Sequence, residues 1–303
     1  MEKIKKYLKK IFEKRIFFDC EASKITSFKT GGKISILLFP ENKGDIESLY
    51  HIQNQYNIPV KFLGHGSNVL ISDKGYNGII ALTEKFSDIS FENRNVYVQS
   101  GVKINTFLKF LINNNLKNGE FMSGIPGSIG GVVIMNAGTK DRFISSIISR
   151  VDIFDRKGNW IEKNISQIKT EYRTSSLKED AFFIYSVLFN LEPGNSVEIK
   201  LKMKEMMNYR INTQPLGYPS AGSVFKNPEG FSAGKLIEDA GLKGTKIGDA
   251  KISEKHANFI INTGKATSSD IYSLIQIVKE KIFQKYGIIL ETEIELIGFG
   301  NNK

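Results

Sequence analysis

With one cysteine, Cys20, in 303 residues, the chain can close no internal disulfide and assemble no multi-thiolate metal centre. Its three histidines, His51, His65 and His256, lie too far apart to suggest zinc, so no metal is expected. This sparing use of thiols points to a cytoplasmic protein. Long hydrophobic runs are missing too: nothing approaches the ~20 residues that a membrane-spanning helix needs. Residues 1–12 carry no uninterrupted apolar core, which argues against a secretory signal. Acidic residues are short relative to basic ones, 32 against 42, for a formal net charge of +10. A nucleic-acid partner would want those lysines gathered into a stripe or tail, and they are spread along the whole chain. A small anionic substrate suits the surplus equally well, and no nucleic-acid partner is expected.

What the sequence does have is glycine, in two dense clusters. The first is Met122-Ser123-Gly124-Ile125-Pro126-Gly127-Ser128-Ile129-Gly130-Gly131-Val132-Val133-Ile134-Met135-Asn136-Ala137-Gly138. Glycines this close together remove Cβ atoms where another body must approach the backbone. Backbone N–H groups freed in such turns form anion-binding concavities, best placed at the start of a helix. A bed for a phosphorylated cofactor is one reading; a tight turn followed by a buried strand is the other. The second cluster, Gly64-His65-Gly66-Ser67-Asn68, follows the apolar run 58–63 and reads as a strand end with exposed N–H groups. Neither fits the commoner nucleotide templates. Val69 stands where the dinucleotide fingerprint needs its third glycine, and Gly124-x-x-Gly127-x-x-Gly130 has the wrong spacing. Gly230-x-x-x-Gly234-Lys235 is a residue short of a P-loop, with Leu236 in place of the metal-binding hydroxyl.

In chain order, Ile4, Tyr7, Leu8, Ile11 and Phe12 share one helical face opposite lysines. Such a helix docks on the protein's own body or lies on a membrane surface, and docking is the expectation. A strand over 34–39, a helix over 45–55 and a strand over 60–63 read as a βαβ unit. It would deliver residues 64–68 to the carboxyl edge of a sheet, where ligands usually bind. Short strands are expected at 78–82 and 95–99, a helix at 103–114, strands at 148–155, around Trp160 and at 182–191, and a helix at 200–210. Residues 212–228 form a long polar loop, a kind of segment usually kept for function. Helices at 233–240 and 268–286 precede a closing strand, 288–297, whose Glu291, Glu293 and Glu295 share a face by alternation.

Several segments bear a joint resemblance. They are Gly64-x-Gly66-Ser67-Asn68, Gly124-Ile125-Pro126-Gly127-x-x-Gly130-Gly131, Met135-Asn136-Ala137-Gly138 and Tyr172-Arg173-x-Ser175. With them go Arg210-x-x-x-Gln214-Pro215, Ala221-Gly222-Ser223-x-Phe225-Lys226-Asn227-Pro228, His256-Ala257-Asn258-Phe259 and Leu290-Glu291-x-Glu293. Together they resemble the motifs of the UDP-N-acetylenolpyruvoylglucosamine reductases, the MurB family of peptidoglycan synthesis. They stand in the family's order and cover nearly all of the chain after residue 25. The resemblance implies an α+β fold: a two-subdomain FAD-binding module (PCMH/vanillyl-alcohol-oxidase-like) followed by an α/β substrate-binding domain. The implied divisions are 1–22 for an N-terminal amphipathic helix, 23–84 and 85–204 for the FAD-binding subdomains, and 205–303 for the substrate domain. FAD is the implied cofactor, NADPH the co-substrate and a UDP-sugar the substrate of a cytoplasmic monomer. Gly64, Gly66, Ser67, Asn68, Gly124, Ile125, Pro126, Gly127, Ser128, Gly130, Gly131, Asn136 and Gly138 are the implied cofactor-binding residues. Arg210, Gln214, Lys226 and Asn227 are those for the UDP-sugar. The short interval from Arg173 to Ser223 is similar to the subtype without an extra substrate-clamping tyrosine loop. Thr139-Lys140-Asp141, and Glu171 ahead of Tyr172, depart from the usual pattern.

The family reaction reduces an enolpyruvyl ether to a lactyl ether, with hydride passing from flavin N5 to the alkene and NADPH as its source. Negative charge then develops on the α-carbon and its carboxylate, and Arg173, with a planar multi-donor fork, matches the family's stabilising cation. Glu293 matches the second stabilising residue. A bare carboxylate there repels the enolate, so it must share a proton or be held against Arg173. Ser223 matches the proton donor to the α-carbon. Without the resemblance, Ser223 reads as a loop serine capping a turn, Lys226 as a solvated lysine and Glu293 as part of an exposed face. One rival is a flavin-dependent alcohol or amine oxidase on the same fold, with His65 as its only candidate flavin tether. A basic nucleic-acid or membrane-surface binder is another, and it leaves both glycine clusters idle.

Overall fold

The computed structural model describes residues 2–92, 95–139 and 141–300. The chain forms two compact units: 1–17, 36–65 and 78–209 make the first, and 18–35, 66–77 and 210–303 the second.

The amphipathic N-terminal stretch is the helix Glu2–Phe12. Leu8 and Phe12 are completely buried, Ile4 and Ile11 half-buried and Tyr7 exposed, while Lys9 and Lys10 stay exposed, so protein covers part of the apolar face. The helical segment is shorter than 1–22. Glu13 turns to a φ of 46°, and Ile16–Glu21 is a strand. The run Ile16-Phe17-Phe18 is β-branched and aromatic, which suits a pleated, half-buried surface better than a helix. A four-stranded sheet has the order Ile16–Glu21, Lys33–Leu38, Tyr76–Leu82, Val60–Leu63. The helix Lys43–Tyr56 joins two of these strands, Lys33–Leu38 and Val60–Leu63. Its N-cap Asn42 accepts from the Asp45 N–H at 2.9 Å, and Asn57 ends it in the left-handed region. The expected crossover is present, with Tyr76–Leu82 inserted between its strands and Val60–Leu63 parallel to residues 79–82.

A five-stranded antiparallel sheet follows in the first unit, ordered Trp160–Asn164, Ile148–Asp155, Ala181–Phe189, Asn95–Gln99, Ile89–Glu92. The helix Ile104–Asn113 buries Ile104, Phe107, Leu108 and Leu111, the i, i+3, i+4, i+7 face, into the same core. Phe107 meets Phe189 with ring centroids 4.6 Å apart.

In the second unit the helix Ser268–Tyr286 is the main core element. Thr267 and Asp270 form a capping box at its start, and Gly287 takes the left-handed region at its end. Ile271, Leu274, Ile275, Val278 and Ile282 are buried with Val224, Phe225, Ile237 and Ile252. Each such side chain contributes roughly 1.5–3 kcal/mol of transfer free energy. Asp73 accepts from the Ser268 and Ser269 N–H groups at 2.9 Å, holding residues 66–77 on the helix N-terminus.

The closing strand is shorter than alternation predicts. Only Glu295–Ile297 is a strand, parallel to Val69–Ile71. Residues 291–293 bond elsewhere: the Lys226 N–H donates to the Glu291 carbonyl at 2.9 Å, and the Glu293 N–H to the Val224 carbonyl at 2.8 Å. A chain that changes partner midway cannot keep a single pleat. Glu291 and Glu295 are accordingly exposed while Glu293 is half-buried, and the three glutamates do not form one face. Among the described residues no helix is long and apolar enough to cross a membrane.

Candidate functional site

In the first unit the central glycine cluster is a turn followed by a helix, not a strand. Gly124 and Gly127 take φ values of 75° and 120°, and Ser128 opens the helix Ile129–Ile134. The Gly130 N–H donates to the Ser100 carbonyl at 2.8 Å, and the Ile129 N–H to the Val102 carbonyl at 2.9 Å. Three segments therefore meet: 64–65, 100–103 and 128–130. Glycine is what lets them. A Cβ on Gly64 would sit 2.1 Å from Ser128 Oγ, and one on Gly130 would meet Ser100 Cβ at 2.9 Å.

On these segments His65 Nε2, Ser100 Oγ and Ser128 Oγ are buried with no hydrogen-bond partner among the described residues. Each unmet group costs roughly 1–3 kcal/mol, and native proteins rarely gather three in one place. A glycine-lined approach with unspent polar groups fits a bound polar cofactor, and the residues present suit FAD. Gly131 provides the cleanest test. Its added Cβ would find only Ser128 Oγ, at an ordinary 3.7 Å, whereas Gly127 is held at a φ that strains any side chain. Gly131→Val is expected to fold and to lose flavin, read as the flavin-to-protein ratio of the folded fraction; full occupancy would place the cofactor elsewhere.

In the second unit Gly66 has a φ of 58°, and a Cβ there would lie 2.0 Å from the Ile25 carbonyl oxygen. Ser27 donates to the Gly66 carbonyl through its N–H and its hydroxyl, both at 3.0 Å. Asn68 donates from Nδ2 to the Glu293 carbonyl at 3.1 Å and accepts from the Glu295 N–H at 2.9 Å. Ser67, between them, is half-buried.

Arg173 belongs to the first unit, in the two-residue turn between Thr170–Glu171 and Thr174–Ser175. It has a φ of 59°, and its guanidinium lies 5.0 Å from the Tyr172 ring centroid. Holding a non-glycine residue there costs on the order of 1–3 kcal/mol, a strain that clusters at functional sites. The turn is anchored from the glycine bed. Asn136 Nδ2 donates to the Glu171 carbonyl at 3.0 Å, its Oδ1 accepts from the Ser145 N–H at 3.3 Å, and Ser175 Oγ donates to the Ile134 carbonyl at 2.9 Å. The Asn136 side chain, expected on the cofactor, thus has both ends engaged by protein, Nδ2 on the Arg173 hairpin and Oδ1 on Ser145. Glu171 takes part through its backbone, so its exposed side chain leaves the anchor intact. Gly138 bridges to Phe143, where a Cβ would lie 2.1 Å from the Arg142 carbonyl oxygen; Lys140 is outside the described residues. Asn136→Ala is expected to lose roughly 1–3 kcal/mol of stability. It should also lower kcat more than it raises KM, because it loosens a residue placed for the chemistry. Thermal unfolding and steady-state kinetics check the two parts.

The loop bearing Ser223 is pinned on two sides within the second unit. Ser223 bridges to Phe259, and the Val224 N–H donates to the Asn258 carbonyl at 2.8 Å. The Asn258 side chain mimics a further peptide: Oδ1 accepts from the Phe225 N–H at 2.9 Å, and Nδ2 donates to the Phe225 carbonyl at 2.8 Å. The motif His256-Ala257-Asn258-Phe259 marks Asn258 in the sequence without assigning it this role. On the other side the Glu293 N–H reaches Val224, so the backbone brings Ser223 and Glu293 together. Gly222, at a φ of 76°, turns the chain just ahead of the serine.

The four residues expected on the UDP-sugar are more dispersed. Lys226 Nζ forms an exposed pair with Glu291 Oε2 at 3.1 Å. Asn227 Oδ1 accepts from the Ala233 N–H at 2.9 Å, at the start of the helix Ala233–Asp239. Arg210 Nη1 lies 3.5 Å from Gln214 Oε1 near the end of the helix Ser196–Thr213. Gln214 lines a cavity of about 430 Å³ together with Leu216, Tyr218, Lys251 and Lys255, a volume within the usual range for small-molecule sites.

Comparison with known proteins adds a second line. Residues 34–164 match the model of an FAD binding domain, and residues 214–297 that of the C-terminal domain of UDP-N-acetylenolpyruvoylglucosamine reductase. The chain is 38% identical over 298 residues to the UDP-N-acetylenolpyruvoylglucosamine reductase of Caldanaerobacter subterraneus subsp. tengcongensis, covering 98% of each. It is 41% identical to that of Clostridium kluyveri over 273 residues, 90% of each. The crystal structure of the reductase from Thermus caldophilus superposes with a TM-score of 0.79 at 28% identity, over 93% of this chain and 98% of that one.

Proposed function

Because this chain belongs to the UDP-N-acetylenolpyruvoylglucosamine reductase family, we propose that Ser223, Arg173 and Glu293 carry its chemistry. The activity is the NADPH-dependent reduction of the enolpyruvyl ether of UDP-N-acetylglucosamine to UDP-N-acetylmuramate, a step of peptidoglycan precursor synthesis. FAD, when bound, supplies the hydride that NADPH provides to it.

The protein's own part is to manage charge and one proton. Hydride addition to the terminal alkene carbon leaves an electron pair on the α-carbon, delocalised into its carboxylate. Arg173 sits on an anchored, strained turn, and its fork of donors suits that carboxylate. Ser223 Oγ gives its proton to the α-carbon and is reprotonated from solvent, closing the balance of one hydride and one proton added across the double bond. The support for this pairing is the double clamp on Ser223: Asn258 fixes one side of its loop, and Glu293 bonds the residue next to it. A hydroxyl so held can act as a positioned acid, typically worth ~10²–10⁴-fold. The test is mass analysis of the UDP-sugar after incubation with NADPH. The expected product is heavier by one hydride and one proton, and unchanged substrate with oxidised NADPH would refute the assignment.

Arg210, Gln214, Lys226 and Asn227 hold the UDP-sugar, with the Gln214 cavity taking part of it. Lys226→Ala and Arg210→Ala are therefore expected to raise KM and spare kcat, the pattern for contacts present equally in ground and transition states. Steady-state kinetics with the UDP-substrate decide this; a fall in kcat at constant KM would move them into the chemistry. Both nucleotide substrates belong to the cytoplasm, and the protein acts there as a monomer in this reading.

A further inference from the structure

The glycine bed leaves one side chain without a task. His65 lies between Gly64 and Gly66, and its ring is hydrogen-bonded to the Gly101 backbone. Its Nε2 is buried and has no partner among the described residues, so Nδ1 is the bonded nitrogen. Ser100 Oγ and Ser128 Oγ share this condition, but a hydroxyl can rotate to donate or accept. An imidazole whose Nδ1 carries the only proton offers Nε2 as an acceptor alone.

Backbone N–H groups in a glycine turn can form an anion-binding concavity, and the strand Val60–Leu63 runs into such a turn at Gly64. The diphosphate of FAD brings only acceptor oxygens and negative charge. Two acceptors facing each other repel, and one proton on Nε2 turns the contact into a charge-assisted hydrogen bond. We propose that His65 takes up a proton from solvent when the FAD diphosphate binds, so that cofactor retention is coupled to pH. This rests on the FAD reading above.

The local charges support the direction. Burial pushes the imidazole below its ordinary pKa and Lys103 pushes it further, while Glu84 and the Gly101 bond oppose them. Without cofactor the ring is held neutral; diphosphate beside it favours the cation. A pKa that is higher in the complex strengthens binding at low pH. Affinity is therefore level below the His65 pKa of the apoprotein. It then falls about 10-fold per pH unit up to the pKa of the complex, and levels again above it.

The experiment is calorimetric titration of the apoprotein with FAD from about pH 6 to about pH 9, in two buffers of different ionisation heat at each pH. Wild type is expected to take up a fraction of a proton approaching one, with the dissociation constant rising about 10-fold per pH unit in the window. His65→Gln should bind FAD with no uptake and a flat pH profile, and His65→Asn is the second variant. Riboflavin, which lacks the diphosphate, should bind wild type without uptake, an arm that needs no variant to fold. FAD binding without uptake in wild type overturns the proposal. So does equal uptake in His65→Gln, or uptake with riboflavin. Failure of the wild-type apoprotein to bind FAD at all overturns the FAD reading instead, and this one with it.

Discussion

Ser223→Ala is expected to leave flavin reduction by NADPH intact and to slow re-oxidation by the enolpyruvyl substrate by ~10²–10⁴-fold. The two half-reactions differ in the proton they need. Loading the flavin requires none for the substrate's α-carbon, whereas consuming the alkene requires one. The substitution removes the hydroxyl and keeps the backbone bridge to Phe259, so the loop is retained and only the acid is lost. Water reaching the α-carbon accounts for residual turnover. Arg173 is a poorer probe, because truncating it also alters the strained turn that Asn136 and Ser175 anchor. Stopped-flow absorbance at the flavin band follows each half-reaction separately. Slower reduction with re-oxidation near wild type would remove Ser223 as the proton donor.

Asn258→Ala is expected to cost about 2–6 kcal/mol, because it strips partners from two buried backbone groups at roughly 1–3 kcal/mol each. Asn258 is 4% exposed and Phe225 1%, so water does not replace the lost bonds without opening the loop. At about 2–4 °C per kcal/mol for a chain of this size class, the unfolding midpoint should drop by roughly 4 °C or more. Activity should fall further than stability accounts for, since Ser223 lies two residues before Phe225 in the loop. Thermal unfolding and kcat at a temperature where the variant is fully folded separate the two effects. A variant with an unchanged midpoint would mean that the double hydrogen bond contributes little.

Local features were the legible ones. The helix Ser268–Tyr286 is announced by Ile271, Leu274, Ile275, Val278 and Ile282 at helical spacing. The central bed was legible as glycine, though only the structure decides for a helix after Ser128 over a strand. Partner choice was not legible. Alternation in 288–297 looks like one strand because nothing local tells Glu291 that it faces Lys226, or Glu295 that it faces Val69. The interleaving of the units has the same origin. Residues 66–77 join the last third of the chain through Asp73 and Ser268, 195 positions apart, a separation no sequence window spans. At the site, motif residues were found but not their division of labour. Asn136 was expected on the cofactor, and its side chain holds the Arg173 hairpin. Asn258 was part of a motif without a role, and it clamps the Ser223 loop.

The central claim is that this chain passes reducing equivalents from NADPH through bound FAD to an enolpyruvyl UDP-sugar. The measurement closest to it is the visible spectrum of the purified protein under anaerobic conditions, recorded before and after sequential additions. A flavin band is expected in the protein as isolated or after reconstitution with FAD. NADPH should bleach it, and UDP-N-acetylenolpyruvoylglucosamine should restore it with no oxygen present. A protein that holds no flavin even after reconstitution, or whose bleached band the substrate does not restore, would contradict the account.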